Sequence, residues 1–188
     1  RLGRQVHGAV VVLGYDSDAA NCNAVMSLYS KCGGFEEVQK VFDRMLVRNE
    51  VTWTVMVAAC GAHGKFPEVL ELFGRMVAGG MKVDGVCLTA VLSACSHGGM
   101  VDQGLEVFGM MKDRFGVRPG LQHYTCVVDM LGRSGRVEEA KDVVSRMDEV
   151  PDTAIWTALL GACRTHANLE VAEQITAKTA ADELVQCF

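Results

Sequence analysis

Apolar residues along the chain recur at helical rather than strand spacing, in pairs of blocks separated by glycine. Between Glu50 and Asp84, the residues Val51, Val55, Ala58, Ala59 and Ala62 keep a period of about 3.6 residues. Gly64 follows, where a glycine in the left-handed conformation ends a last turn. A second block opens at Pro67-Glu68, proline and an acid both being at home in a first turn, and runs through Leu70, Leu72, Phe73 and Met76 to Gly79-Gly80. The pattern predicts a helical hairpin. The long apolar residues of its second helix have nothing to pack on within one hairpin, so the hairpins must stack.

The stacking partner is the same unit again. With Glu50 as the first residue, an aromatic residue stands fourth at Trp53, Tyr124 and Trp156. A small polar residue stands fifth at Asn23, Thr54, Thr89, Thr125 and Thr157. Cysteine returns eleventh at Cys60, Cys95 and Cys163, and glycine fifteenth at Gly33, Gly64, Gly99 and Gly135. Later in each unit an apolar pair leads to methionine: Val41-Phe42 to Met45, Leu72-Phe73 to Met76, Val107-Phe108 to Met111 and Val143-Val144 to Met147. The acidic first turn of the second helix repeats at Glu36-Glu37, Asp102, Glu138-Glu139 and Glu170. Cutting at this phase predicts units over residues 19–49, 50–84, 85–120, 121–152 and 153–188, after residues 1–18 as the end of another. The fold class predicted is all-α, a right-handed α-solenoid with the first helices on its concave face.

Composition narrows the chemistry. Eight cysteines invite a disulfide framework, yet several hold one place in the repeat, where a small and mildly apolar side chain suits tight helix packing; buried free thiols are the reading. No CxxC pair, P-loop, dinucleotide fingerprint or Gly-x-Ser-x-Gly elbow is present, so no metal, cofactor or catalytic residue is assigned. His63, His97 and His166 fall near first-helix ends, where a helix-terminal role suits them. No stretch approaches the ~18 to 20 apolar residues that cross a bilayer, and no membrane partner is expected. The chain opens at Arg1 inside a helix-like stretch reaching Leu13 and closes on Leu184-Val185-Gln186-Cys187-Phe188, which reads as a piece of a longer array.

The alternation of shorter and longer units does not suit tetratricopeptide repeats, whose period of about 34 residues is uniform. It resembles the pentatricopeptide repeat family of plants, in the subclass that cycles short, standard and long units. Asn23-Ala24-Val25-Met26-Ser27-Leu28-Tyr29-Ser30-Lys31-Cys32-Gly33 is similar to a short unit, and Leu92-Ser93-Ala94-Cys95-Ser96-His97 to a long one. Tyr124-Thr125-Cys126-Val127-Val128-Asp129-Met130-Leu131-Gly132-Arg133-Ser134-Gly135 resembles the last short unit, and Trp156-Thr157-Ala158-Leu159-Leu160-Gly161-Ala162-Cys163-Arg164 the first extension motif beyond it. Residues 1–18, with Gln5-Val6-His7-Gly8, resemble the end of a preceding long unit.

The resemblance implies sequence-specific binding of single-stranded RNA in a mitochondrion or chloroplast, one nucleotide per unit, in service of C-to-U editing. It implies that the fifth and last residues of a unit choose the base: Asn23 with Asn49, Thr54 with Asp84, Thr89 with Gly120, and Thr125 with Asp152. It also implies that a branched residue in second place, Val51 or Val86, sandwiches the base; Ala20 and Gln122 replace it in the short units. An editing factor or deaminase would dock on the C-terminal unit, which departs from the pattern at Thr179 and over Asp182 to Phe188. The residues alone leave other readings open. Asp84 and Asp152 also suit helix N-caps, the threonines suit a helix surface, and the net charge of −5 at pH 7 suits a protein-binding scaffold as readily as an RNA binder.

Overall fold

The computed structural model describes residues 18–176 together with Gln5 and Gly8; the remainder of the Arg1–Leu13 stretch, Thr179 and the Asp182–Phe188 tail lie outside the described residues. Four complete hairpins follow one another: α1 (Ala19–Lys31) with α2 (Phe35–Arg44), α3 (Glu50–Ala62) with α4 (Phe66–Ala78), α5 (Gly85–Gly98) with α6 (Val101–Asp113), and α7 (Leu121–Arg133) with α8 (Val137–Ser145). A fifth begins with α9 (Thr153–Thr165) and turns into α10 (169–176). No strand occurs among the described residues.

Each hairpin turns by the same device. The N–H of the sixteenth residue reaches back to the carbonyl of the eleventh: Gly34 to Tyr29 at 2.9 Å, Lys65 to Cys60 at 2.9 Å, Met100 to Cys95 at 3.0 Å, Arg136 to Leu131 at 2.9 Å and Asn168 to Cys163 at 2.9 Å. That bond requires the intervening residue to be left-handed. Gly33, Gly64, Gly99 and Gly135 adopt φ of 78°, 71°, 67° and 80°, and in the last hairpin Ala167 takes the place with φ 52°. Alanine there carries a Cβ against the following carbonyl, a strain that glycine avoids.

The first helices α1, α3, α5, α7 and α9 each touch the next along their backbones, whereas the second helices stand further apart and are bridged by side chains, Arg136 Nη1 to Asp102 Oδ1 at 3.0 Å and Lys141 Nζ to Gln174 Oε1 at 2.8 Å. A second helix packs instead on its own first helix and on the first helix of the following hairpin. A layer whose members touch and a layer whose members are held apart make a curved array, and the first helices take the concave side. Close approach within that layer rests on small residues. A Cβ built on Gly132 would lie 2.7 Å from Ala162 Cβ, and one on Gly61 would lie 3.3 Å from Ala94 Cβ.

The core follows the array as one continuous cluster. Val41, Phe42, Met45, Leu72, Phe73, Met76, Val107, Met111 and Val144 are buried, so the apolar pair and its methionine are the second helix's contribution to the stack. The fourth-position aromatics join neighbouring hairpins, Trp53 packing edge-on to Phe42 at 5.3 Å and Tyr124 to Phe108 at 5.3 Å between ring centroids. The buried face of α3 differs from the one that spacing suggested. Thr52, Met56, Val57, Ala59 and Cys60 are buried, while Val51, Ala58 and Ala62 are exposed. A helix covered on both flanks and behind is apolar around most of its circumference, so apolarity alone does not single out a face.

Cys22, Cys60, Cys87, Cys95 and Cys163 are buried, the last four as free thiols. Burial pushes the thiols of Cys60, Cys87, Cys95 and Cys126 up to about 11.

Two measurements check this description. Replacing Ala167 by glycine relieves the left-handed strain and raises the free energy of unfolding by roughly 0.5 to 1 kcal/mol, read as a higher urea midpoint with an unchanged slope. Thiol labelling at pH 8 modifies exposed Cys32 quickly and leaves Cys60, Cys87, Cys95 and Cys126 largely unmodified until denaturant is added. Because these thiols are raised in the folded state from an ordinary value of 9.0, their contribution to stability is complete below pH 9 and fades as pH climbs towards 11.

Candidate functional site

The N-termini of α1, α3, α5, α7 and α9 line one edge of the array, so five sets of unpaired N–H groups and five positive helix ends stand side by side. The caps are the last residues of the preceding units. Asp18 Oδ2 accepts from Asn21 N at 3.3 Å, Asn49 Oδ1 from Thr52 N at 2.9 Å, Asp84 Oδ1 from Cys87 N at 2.8 Å, and Asp152 Oδ1 from Ile155 N at 3.0 Å. Capping uses one oxygen of each exposed aspartate and leaves the other facing solvent. Asn49 is further tied down, since Thr52 Oγ1 accepts from its backbone N–H at 3.3 Å and donates to its Oδ1 at 2.9 Å.

Beside the caps the second-place valines are bare. Val51 is 56% exposed and Val86 68%, unusual for branched apolar residues at matching places in consecutive hairpins. Gln122 and Ala20 are exposed at the corresponding places of α7 and α1.

The fifth-place side chains stand one turn further along. Thr89, Thr125 and Thr157 donate their hydroxyl protons to the carbonyl four residues back, Gly85 at 2.9 Å, Leu121 at 2.8 Å and Thr153 at 2.7 Å. What they offer outward is therefore lone pairs. Asn23 is only 6% exposed, and its Oδ1 is buried without a partner. An unpaired buried amide oxygen carries an unmet desolvation cost of about 1 to 3 kcal/mol.

Two of the four fifth-and-last pairs are brought together. Thr54 and Asp84 flank Cys87, whose thiol lies beside the Thr54 side chain and donates to Met76 Sδ at 3.7 Å while its amide donates to Asp84 Oδ1 at 2.8 Å. Thr89 and Gly120 meet through Gly85 and His123. The Gly85 carbonyl accepts from Thr89 Oγ1 and lies 2.9 Å from His123 Nε2, while Gly120 N–H donates to His123 Nδ1 at 3.1 Å. Those partners set the tautomer of the buried His123: Nδ1 accepts, so Nε2 carries the proton and donates to Gly85. No hydrogen bond joins Asn23 to Asn49 or Thr125 to Asp152.

His123 was not singled out by sequence reasoning. The signal was available, because it stands third in its helix, the place of the capping-box Thr52, behind a cap residue that has no side chain. Trp53 Nε1, buried without a partner beneath the Arg75 guanidinium, is a second feature that spacing does not reveal. Among the described residues no group of three or more His, Cys, Asp or Glu side chains is placed to hold a metal ion, and no helix is long and apolar enough to cross a membrane.

The family model described as PPR repeat matches residues 21–50, 51–81, 86–114 and 122–150. The mitochondrial Pentatricopeptide repeat-containing protein At3g26782 of Arabidopsis thaliana is 43% identical over 173 residues, covering 92% of this chain and 26% of that protein. A second Arabidopsis relative, the putative mitochondrial protein At3g11460 of the same description, is 42% identical over 178 residues, or 95% of this chain and 29% of its own length. The chain thus spans about a quarter of the length of the curated relatives it matches. Among solved structures, the pentatricopeptide repeat protein PPR10 from maize superposes with a TM-score of 0.78 at 26% identity, over 97% of this chain and 28% of that one. PPR10 in complex with an 18-nt psaJ RNA element superposes with a TM-score of 0.72 at 26% identity, over 90% of this chain and 27% of that one. With four repeat matches over more than half its residues, and hairpins stacked as in those structures, the chain belongs to the pentatricopeptide repeat family.

Proposed function

We propose that the row of first-helix N-termini binds single-stranded RNA in a sequence-specific manner, one nucleotide per unit. The observation that carries the reading is that consecutive first helices α3 and α5 each present an exposed valine two residues after a capping side chain, Val51 after Asn49 and Val86 after Asp84. An unstacked base needs a face to rest against and an edge to be recognised by, and this pairing supplies both. Membership of a family in which PPR10 has been crystallised with an RNA element supports the same reading.

The units are those predicted by the repeat, residues 19–49, 50–84, 85–120, 121–152 and 153–188, with 1–18 closing an earlier one. The alternation of short, standard and long units followed by an extension motif fits recognition of sites for C-to-U editing, with the editing enzyme supplied by another domain or partner. Val150, Leu160 and Leu169 are exposed in and beside the last unit, which favours that end for docking such a protein. The location we infer is a mitochondrion or chloroplast, and the names of two relatives support the mitochondrial choice.

Reading RNA from its 5′ end as the protein runs from N to C, the four pairs favour a pyrimidine at Asn23 and Asn49, guanine at Thr54 and Asp84, any base at Thr89 and Gly120, and guanine at Thr125 and Asp152. A carboxylate accepts from the two donors on guanine's pairing edge, whereas an asparagine pair offers donor and acceptors together.

The test is a binding titration at fixed salt with RNAs that differ only opposite the Glu50 unit. Wild type favours guanine there. Asp84→Asn shifts the preference towards adenine, with a mismatch costing on the order of 1 to 3 kcal/mol, while the amide still caps α5. Equal weakening towards every RNA would reduce Thr54 and Asp84 to structural residues.

A further inference from the structure

Resting on the RNA-binding reading, we propose that the cleft between α7 and α9 holds a phosphodiester of single-stranded RNA between Arg133 and Arg164, so that the bound strand continues past the fourth complete hairpin into the fifth. The cleft has a volume of about 420 Å³, within the roughly 300 to 1,000 Å³ typical of small-molecule sites. Its walls come only from α7 and α9, both of the touching inner layer, so it opens on the concave side. Thr157 is part of its lining and is the fifth residue of its unit, which places the cleft in line with Thr54, Thr89 and Thr125.

The space exists because the floor is small. Gly132, Ala158, Gly161 and Ala162 bring the two helices together beneath it. The hydroxyls at the walls are already committed, Thr157 Oγ1 donating to Thr153 O at 2.7 Å and Thr165 Oγ1 to Gly161 O at 2.9 Å. The free donors are those of the two guanidiniums. Arg164 is exposed and makes no ion pair with a described residue. Arg133 spends only Nε, on Asp129 Oδ2 at 2.9 Å, and keeps its two terminal nitrogens.

Asp129 is the only acid in the lining, and the oxygen that holds Arg133 also accepts from Ser96 Oγ at 2.6 Å. A chain of hydrogen bonds from α5 thus fixes Arg133 at the rim, and the cleft keeps a net positive charge on a chain of formal net charge −5. Two guanidiniums from successive units across a narrow cleft are suited to the paired oxygens of a phosphodiester. A base-reading role is not implied, since no side chain in the lining offers a distinctive donor and acceptor pair to a base edge.

The test uses the 188-residue chain and two RNAs, one ending opposite the 121–152 unit and one longer by two nucleotides on the 3′ side. Wild type binds the longer RNA more tightly and with a steeper salt dependence. A single-strand phosphate contact adds about 0.7 to the slope of log affinity against log salt, so between about 50 and 200 mM salt the wild type loses roughly 2- to 3-fold more affinity for the longer RNA than Arg164→Gln does. In Arg164→Gln the two RNAs bind alike, and at all sequences alike. Arg133→Gln has the same effect, and should that variant fail to fold, the unpaired Arg164 decides alone. Equal affinity and slope for both RNAs in wild type, or a length dependence that survives Arg164→Gln, overturns the site while leaving RNA binding intact. Binding of neither RNA removes the RNA reading and the site with it.

Discussion

Contact between consecutive first helices is the constraint on which the rest of the molecule depends. At Gly132 against Ala162, and at Gly61 against Ala94, the helices approach so closely that one of each pair has no side chain at all. The approach sets the spacing of the hairpins, and from it follow the row of parallel N-termini, the single continuous core and the fan of second helices behind. Stability in such a stack is the sum of many equivalent interfaces, each joining a unit to its neighbours. The aromatic pairs Trp53 with Phe42 and Tyr124 with Phe108 carry the same message at the outer seam, since each joins a first helix to the second helix of the preceding hairpin.

The candidate site is built from groups that helices need in any case. Asp84 and Asp152 are N-caps, and capping and recognition are compatible because a carboxylate has two oxygens. On the proposed reading this places carboxylates on an edge that meets a polyanion. The arginines Arg133 and Arg164 stand near the C-ends of first helices rather than at their N-ends, and there a chain of net negative charge presents a locally positive surface.

Much of the fold was legible because a repeat reports the same physics several times. One Gly64 is a weak signal for a left-handed turn; Gly33, Gly64, Gly99 and Gly135 at one place amount to a rule, and the structure gives all four positive φ. The register of the caps was legible for the same reason, Asp84 and Asp152 being readable as N-caps from their place before a helical block. The buried face of α3 was not, because a helix packed on three sides has little polar residue content to mark its fourth side, and Val51 looks like core until the neighbouring helices are placed. His123 escaped because its two partners are backbone groups, one of them 38 residues away in the chain, and backbone partners leave no trace in side-chain spacing. The cleft at Arg133 and Arg164 escaped in part. Both arginines stand in the repeat segments that mark their units, but the small residues between them acquire meaning only once α7 and α9 are side by side.

The second helices are bridged by exposed polar side chains, Arg136 to Asp102 and Lys141 to Gln174, rather than by close approach of their backbones, and this has a mechanical consequence. Bending a beam compresses one surface and stretches the other about a neutral axis. Here the touching first helices form a seam of nearly fixed length, and the second helices can spread or converge by pivoting on it at the cost of exposed polar bridges alone. The array is therefore stiffer along its seam than in its curvature, a leaf spring whose hinge line runs through the layer that carries the candidate site.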